Sequence, residues 1–132
     1  MDMLLEVVVV PVSDVDAAKE FYEHKLGFKV DMDVAPNKGM RLVQLTPQGS
    51  QCSIHIGEGI TEMKPGSIKG LILVVDSAEA AKHELKERGV DTDPIQDFPW
   101  GKHLIVTDPD GNTLTLQESY ARKKRDASQD KA

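Results

Sequence analysis

Residues 102–118 read KHLIVTDPDGNTLTLQE. Two apolar-rich stretches flank a short punctuation, Asp108-Pro109-Asp110-Gly111-Asn112. Pro109 presets its own φ and Gly111 accepts a positive one, so the chain reverses there. Beyond the turn, Thr113, Thr115 and Gln117 alternate with Leu114 and Leu116. That is the period of a half-buried strand. The reading is a β-hairpin, 102–107 against 113–118. Its first strand is less decided, because apolar residues fall at both parities.

Working outward, the same punctuation occurs earlier. A shift of 62 residues carries Pro47 onto Pro109 and Gly49 onto Gly111, Asp14 onto Asp76 and Gly27 onto Gly89. The first copy of the hairpin is then 40–46 against 51–56. Ahead of each Asp lies a β-branched strand, Leu4–Val12 and Gly70–Val75. Behind each Asp lies a helix. Val15, Ala18, Tyr22 and Leu26 make the apolar stripe of the first, about 15–26; Ala78, Ala81 and Leu85 make that of the second, about 78–88. Ser13 with Asp16 resembles a capping box, Asp76 or Ser77 caps the second helix, and Gly27 and Gly89 end the two. A strand follows each glycine, Phe28–Val34 and Val90–Ile95. The fold class is α+β, two tandem β-α-β-β-β units.

Alternation assigns faces. In the last strand of the first unit Cys52, Ile54 and Ile56 point one way, and Gln51, Ser53 and His55 the other. Leu114 and Leu116 oppose Thr115 and Gln117 in the same manner. The apolar sets should pack on the helices. The 62-residue shift lays Arg41 on His103 and Val43 on Ile105. These four are therefore expected on the face of His55, leaving Met40, Leu42, Leu104 and Val106 for the helices.

The chain of 132 residues has room for one domain, 1–120, with units about 4–57 and 69–119 and a Gly/Pro-bearing linker 58–68. The segment 121–132, ARKKRDASQDKA, lacks periodicity and reads as a disordered polar tail. A net charge of −6 argues against a nucleic-acid partner. One cysteine, Cys52, excludes an internal disulfide framework and a Cys-rich zinc site. No apolar run is long enough to span a membrane, and the first residues lack the basic end and apolar stretch of a signal peptide. A cytoplasmic protein with no membrane partner is expected.

The helix Asp14-x-x-x-Ala18-x-x-Phe21-Tyr22 closing in Leu26-Gly27-Phe28, the paired β-α-β-β-β units and the Asp-Pro-Asp-Gly-Asn turn together resemble the vicinal oxygen chelate superfamily. That group includes glyoxalase I, bleomycin-resistance proteins, fosfomycin-resistance enzymes, extradiol dioxygenases and methylmalonyl-CoA epimerase. The resemblance covers about residues 4–119. It implies that each unit curls its sheet into a half-cup and that two units close a cavity. It also implies, for metal-dependent members, His, Gln or Glu ligands on the first and last strands of each unit. Carried onto this sequence, those positions fall at Val7 or Val8, at Ser53 or His55, at Gly70 and at Thr115. Three of the four lack a competent ligand side chain. No metal and no cofactor is expected.

The candidate ligand-binding residues are Arg41, His55, Trp100, His103, Thr115 and Gln117. Arg41, His55 and His103 are expected to share one cavity, with Trp100 at its mouth. Arg41 could clamp a carboxylate or phosphate. Trp100, in a Pro-bearing loop, could stack on a flat ligand. The function expected is metal-independent binding of a small molecule of the bleomycin-resistance type, in the cup between sheets, by a homodimer. The alternative is a metal-dependent lyase or isomerase of glyoxalase type, with a rearranged site using His55 and His103. No residue is assigned a catalytic role.

Overall fold

The computed structural model describes residues 1–121, so the tail expected to be disordered lies, from 122 on, outside the described residues. The chain forms two compact units. Unit 1 is Met1–Ile68 together with Asp108–Asn112; unit 2 is Lys69–Thr107 with the chain from Thr113 on.

In unit 1, β1 (Val7–Val9) leads to α1 (Val15–Glu20), β2 (Lys29–Val34), β3 (Arg41–Thr46) and β4 (Ser53–Glu58). Its sheet order is β1-β4-β3-β2, with β1 parallel to β4 and the other pairs antiparallel. Asp14 caps α1, its Oδ1 accepting from the Ala17 N–H at 3.1 Å. After Glu20 the helix widens into a π turn, Phe21–Lys25, closed by Leu26 N–H on Phe21 O at 3.0 Å. Its inner face places Ala18 and Tyr22 against Val43, Leu45, Ile54 and Ile56, all buried.

Unit 2 repeats the order: β5 (Leu71–Val74), α2 (Ala78–Glu87), β6 (Gln96–Phe98), β7 (Gly101–Thr107) and β8 (Thr113–Ser119), arranged β5-β8-β7-β6. Ser77, not Asp76, caps α2, its Oγ accepting from the Ala80 N–H at 3.1 Å. The helix covers β7 and β8, burying Leu85 and Ala78 with Leu104, Val106 and Leu114.

The turn Asp108–Asn112 belongs to unit 1 because its polar groups are spent there. Asn112 is fully buried; its Nδ2 donates to Pro11 O and Asp108 Oδ2, each at 2.8 Å, and its Oδ1 accepts from Ile68 N–H at 3.0 Å. Tyr22 donates its hydroxyl to Asp108 Oδ2 at 2.8 Å, and burial beside that carboxyl pushes the phenol pKa far up. Asp110 takes Ser13 N–H at 3.1 Å and the Ser13 hydroxyl. Ser13 is therefore tied to this turn and makes no capping box. Gly111 has φ 97°, the positive value expected of it.

Three further sequence expectations are corrected. The strand expected at Val90–Ile95 is β6 at Gln96–Phe98. Val90 N–H returns to Leu85 O at 2.8 Å to finish the helix, and Pro94 brings no donor to a ladder. Gly70 lies ahead of β5, so the first-strand positions facing Thr115 and Gln117 are Ile72 and Val74. The third correction concerns Arg41 and Val43. Val43 pairs with Ile56 and Leu45 with Ile54, so the odd-numbered residues of β3 cover the helix, and Arg41 stands with them. In β7 it is Leu104 and Val106 that cover the helix, as expected, and His103 and Ile105 face away.

The reason is hairpin length. Gln44 pairs with His55, 11 residues apart; His103 pairs with Gln117, 14 apart. The second hairpin is longer by an odd number of residues. A fixed 62-residue shift therefore aligns the last strands but inverts the faces of the strands before them.

Candidate functional site

Each sheet has one face on its helix and one open face. On the open face of unit 1 stand Val7 and Val9 from β1, Met32 and Val34 from β2, Leu42 and Gln44 from β3, and Ser53 and His55 from β4. A bulge between Val30 and Met32 lets Asp31 reach the same row. Asp31 accepts from the Thr46 hydroxyl and, at 3.3 Å, from Gln44 Nε2. Thr46 Oγ1 in turn lies 2.6 Å from Ser53 Oγ. The Thr46 hydroxyl, with Gln44 behind it, holds the Asp31 carboxyl below the usual carboxylate range. A carboxylate only accepts, so Gln44 turns its amide nitrogen to Asp31 and its Oε1 to His55 Nε2, 2.9 Å away. His55 therefore carries a proton on Nε2. Asp31 is the anchor of this row.

Arg41 is elsewhere. Its guanidinium forks onto Asp33, Nε to Oδ1 at 3.0 Å and Nη2 to Oδ2 at 2.8 Å, and Nη1 reaches Asp16 on α1 at 2.8 Å. Lys19 adds a second cation to Asp33 at 3.0 Å. Arg41, with Lys19 behind it, holds the Asp33 carboxyl well below its ordinary range. This cluster borders an open groove of ≈ 530 Å³ on the helix side of unit 1, lined also by Ser13, Asp14, Glu58 and Met63. The expectation that Arg41 joins His55 on one cavity wall is overturned by the β3 register and by these partners.

The open face of unit 2 gathers three expected residues in direct contact. His103 Nε2 lies 3.0 Å from Gln117 Oε1 and 3.1 Å from Trp100 Nε1. Thr115 stands two residues from Gln117 on the same face, paired with Ile105. Phe98 stacks on Trp100 with centroids 4.9 Å apart and planes 6° from parallel, and its ring is 4.8 Å from that of His103. Ile72 and Val74 continue this face across β5, with 54% and 49% of their surface exposed. Trp100 is 53% exposed. The result is an aromatic and aliphatic floor with hydrogen-bonding groups set into it.

Sequence reasoning missed Gln44, Asp31, Phe98, Ile72 and Val74. For Gln44 a signal existed, the hydrogen-bonding partner a strand histidine needs directly opposite. The bulge that brings Asp31 in leaves no mark in the sequence. By register, the first- and last-strand positions on the open faces hold Val7 and Val9, Ser53 and His55, Ile72 and Val74, and Thr115 and Gln117. Among the described residues no group of three or more His, Cys, Asp or Glu side chains is placed to hold a metal ion. No helix among them is long and apolar enough to cross a membrane.

Comparison with known proteins agrees with this architecture. The uncharacterized protein YwkD of Bacillus subtilis (strain 168) is 32% identical over 114 residues, which are 80% of this chain and 89% of that protein. TnmS3, an antibiotic binding protein from Streptomyces sp. CB03234, superposes with a TM-score of 0.81 at 36% identity, covering 89% of this chain and 97% of its own. A glyoxalase/bleomycin resistance protein/dioxygenase superfamily member from Sphaerobacter thermophilus DSM 20745 gives 0.78 at 31% identity, covering 88% and 97%. The family model of that superfamily matches residues 4–116. With its two β-α-β-β-β units and this match, the chain belongs to the Glyoxalase/Bleomycin resistance protein/Dioxygenase superfamily.

Proposed function

We propose that the protein binds a flat, largely apolar small molecule, without a metal and without transforming it. The observation that carries this reading is the open face of unit 2. The stacked Phe98 and Trp100 offer a planar platform, Ile72, Val74 and Ile105 an aliphatic surround, and His103, Thr115 and Gln117 the polar anchors. An exposed apolar floor with a few polar groups set into it is the composition of a ligand site. The similarity to TnmS3, named as an antibiotic binding protein, supports it. The donor set supports metal independence. At the eight first- and last-strand positions on the open faces only His55 and Gln117 carry strong ligand atoms, and valine, isoleucine, serine and threonine hold the rest. Arg41, committed to Asp33 and Asp16, has no part in this site.

A homodimer is part of the proposal. Met3, Leu4 and Leu5 lie exposed ahead of β1, an edge strand of its sheet. Such apolar surface is what a second copy would cover. Sedimentation equilibrium tests it, and a monomer at high protein concentration would overturn it.

The binding test follows Trp100, the chain's one tryptophan. Titration with the neutral planar probe N-phenyl-1-naphthylamine should quench its fluorescence saturably, and EDTA should change neither the curve nor the melting temperature. Phe98→Ala should weaken binding about tenfold, the size of a lost aromatic stack. A stoichiometric divalent ion whose removal abolishes binding, or lowers the melting temperature by many degrees, would overturn the metal-free reading. It would favour the lyase or isomerase alternative.

A further inference from the structure

We infer that Trp100 and Gln117 compete for one nitrogen of His103, and that protonating His103 frees the indole and makes the open face of unit 2 receptive to an aromatic anion. The second half rests on the binding reading above; the first half does not.

The argument begins with donors and acceptors. An indole N–H can only donate, and a side-chain amide oxygen can only accept. His103 Nε2 has Trp100 Nε1 at 3.1 Å on one side and Gln117 Oε1 at 3.0 Å on the other. A bare Nε2 satisfies the indole and sets its lone pair against Oε1. A protonated Nε2 satisfies Gln117 and sets two N–H groups against each other. One nitrogen cannot serve both, so the pair of contacts is a balance between two states. Proton uptake by the ring decides it in favour of Gln117, because the imidazolium has no lone pair left for the indole.

The surroundings of His103 determine what the cation would then seek. From β6, Gln96 lies directly across from it and Phe98 two residues on; from β8, Thr115 and Gln117 share its face; from β5, Ile72 and Val74 do. All of these are uncharged. The charged groups of these strands stand on the other face. Asp97 pairs with Lys102 and accepts the Tyr120 hydroxyl at 3.2 Å, Lys102 binds Glu79 of α2 at 2.8 Å, and Glu118 accepts the Ala78 N–H at 2.9 Å. Asp93 precedes β6, its N–H on Ile105 O at 3.4 Å. Among the described residues, a protonated His103 meets on its own face an aromatic stack and aliphatic side chains and no anion. A flat ligand bearing a sulfonate, carboxylate or phenolate would supply the missing charge and take the freed indole N–H as a second donor.

Two measurements test this. Without any ligand, the Trp100 emission should change in one step between pH 8 and pH 5. His103→Asn should abolish the step, and His55→Asn should leave it. Gln117→Glu should move it up by about one pH unit, since a facing carboxylate favours the imidazolium. With ligand, 8-anilinonaphthalene-1-sulfonate should bind about tenfold more tightly at pH 5.5 than at pH 8. N-phenyl-1-naphthylamine, the same rings without the sulfonate, should not, and His103→Asn should remove the difference. A Trp100 emission independent of pH, or a step that survives His103→Asn, overturns the inference. Tight but pH-independent binding of both probes overturns it while sparing the binding reading. A pH-dependent Trp100 emission with neither probe bound supports the release, overturns the anion receptor and sinks the binding reading with it.

Discussion

In unit 1 a histidine stands on the last strand, His55, and its glutamine on the strand before it, Gln44; in unit 2 the types change places, Gln117 on the last strand and His103 before it. Both pairs are directly opposite in an antiparallel ladder, at 2.9 and 3.0 Å. What separates them is the third partner. Asp31 takes the amide nitrogen of Gln44, which settles the direction of the whole row and the proton on His55. Trp100 brings a second donor to His103 and unsettles it. The same residue pair in the same topology is thus a fixed element in one unit and a two-state element in the other. The units differ also in what they show to solvent. Unit 1 presents a hydrogen-bonded row, unit 2 an aromatic stack.

The largest effect is expected in the buried turn Asp108–Asn112 of unit 1. Asn112→Ala should lower unfolding free energy by roughly 2–6 kcal/mol, because Ile68 N–H loses its buried partner, Asp108 Oδ2 loses a donor, and Pro11 O keeps only the longer bond from Gly66 N–H at 3.3 Å. Urea denaturation measures it, and a loss below 1 kcal/mol would show that these bonds do not hold the turn. Next come the cores. Leu45→Ala in unit 1 and Leu104→Ala in unit 2, both fully buried, should each cost about 2–5 kcal/mol. Ile72→Ala, on the exposed face, should stay within about 0.5 kcal/mol. If Ile72 costs as much as Leu104, the faces of unit 2 are misassigned.

Below the core losses comes Gly111→Val, at about 1–3 kcal/mol. An added Cβ would meet nothing within 4 Å, so the penalty is backbone strain alone at φ 97°. An unchanged denaturation midpoint would refute the turn geometry. The smallest effect sharpens the account of Arg41. The Asp33 pKa is depressed by Arg41 and Lys19, so the bonds contribute stability above the ordinary carboxylate pKa. That contribution is lost as the pH falls below about 4. Arg41→Met should flatten this acid dependence and leave ligand binding at neutral pH unchanged. Weakened binding in that variant would return Arg41 to the site.

Much of the fold was legible because its signals are local. Proline and glycine mark the turns by their own dihedral limits, so Pro47-x-Gly49 and Pro109-x-Gly111 announced the repeat. Asp14 and the apolar stripe Val15, Ala18, Tyr22 placed the first helix, and the alternation in 113–118 placed the core face of β8. The faces of β3 were not legible. Leu42, Val43 and Leu45 are all apolar, and parity along that strand is inherited across a hairpin whose length differs between the units.

The sequence by itself determined two β-α-β-β-β units, their helices, their turns and the open-face positions of His55, His103, Thr115 and Gln117. Only the tertiary structure decided that Arg41 turns to Asp16 and Asp33, that Asp31 swings through a bulge to orient Gln44, and that Trp100 lies on His103. The physical reason is range. Turn and helix propensity depend on neighbours along the chain, whereas a hydrogen-bonding partner is chosen by strand register, and one residue of slip exchanges every partner a side chain can reach.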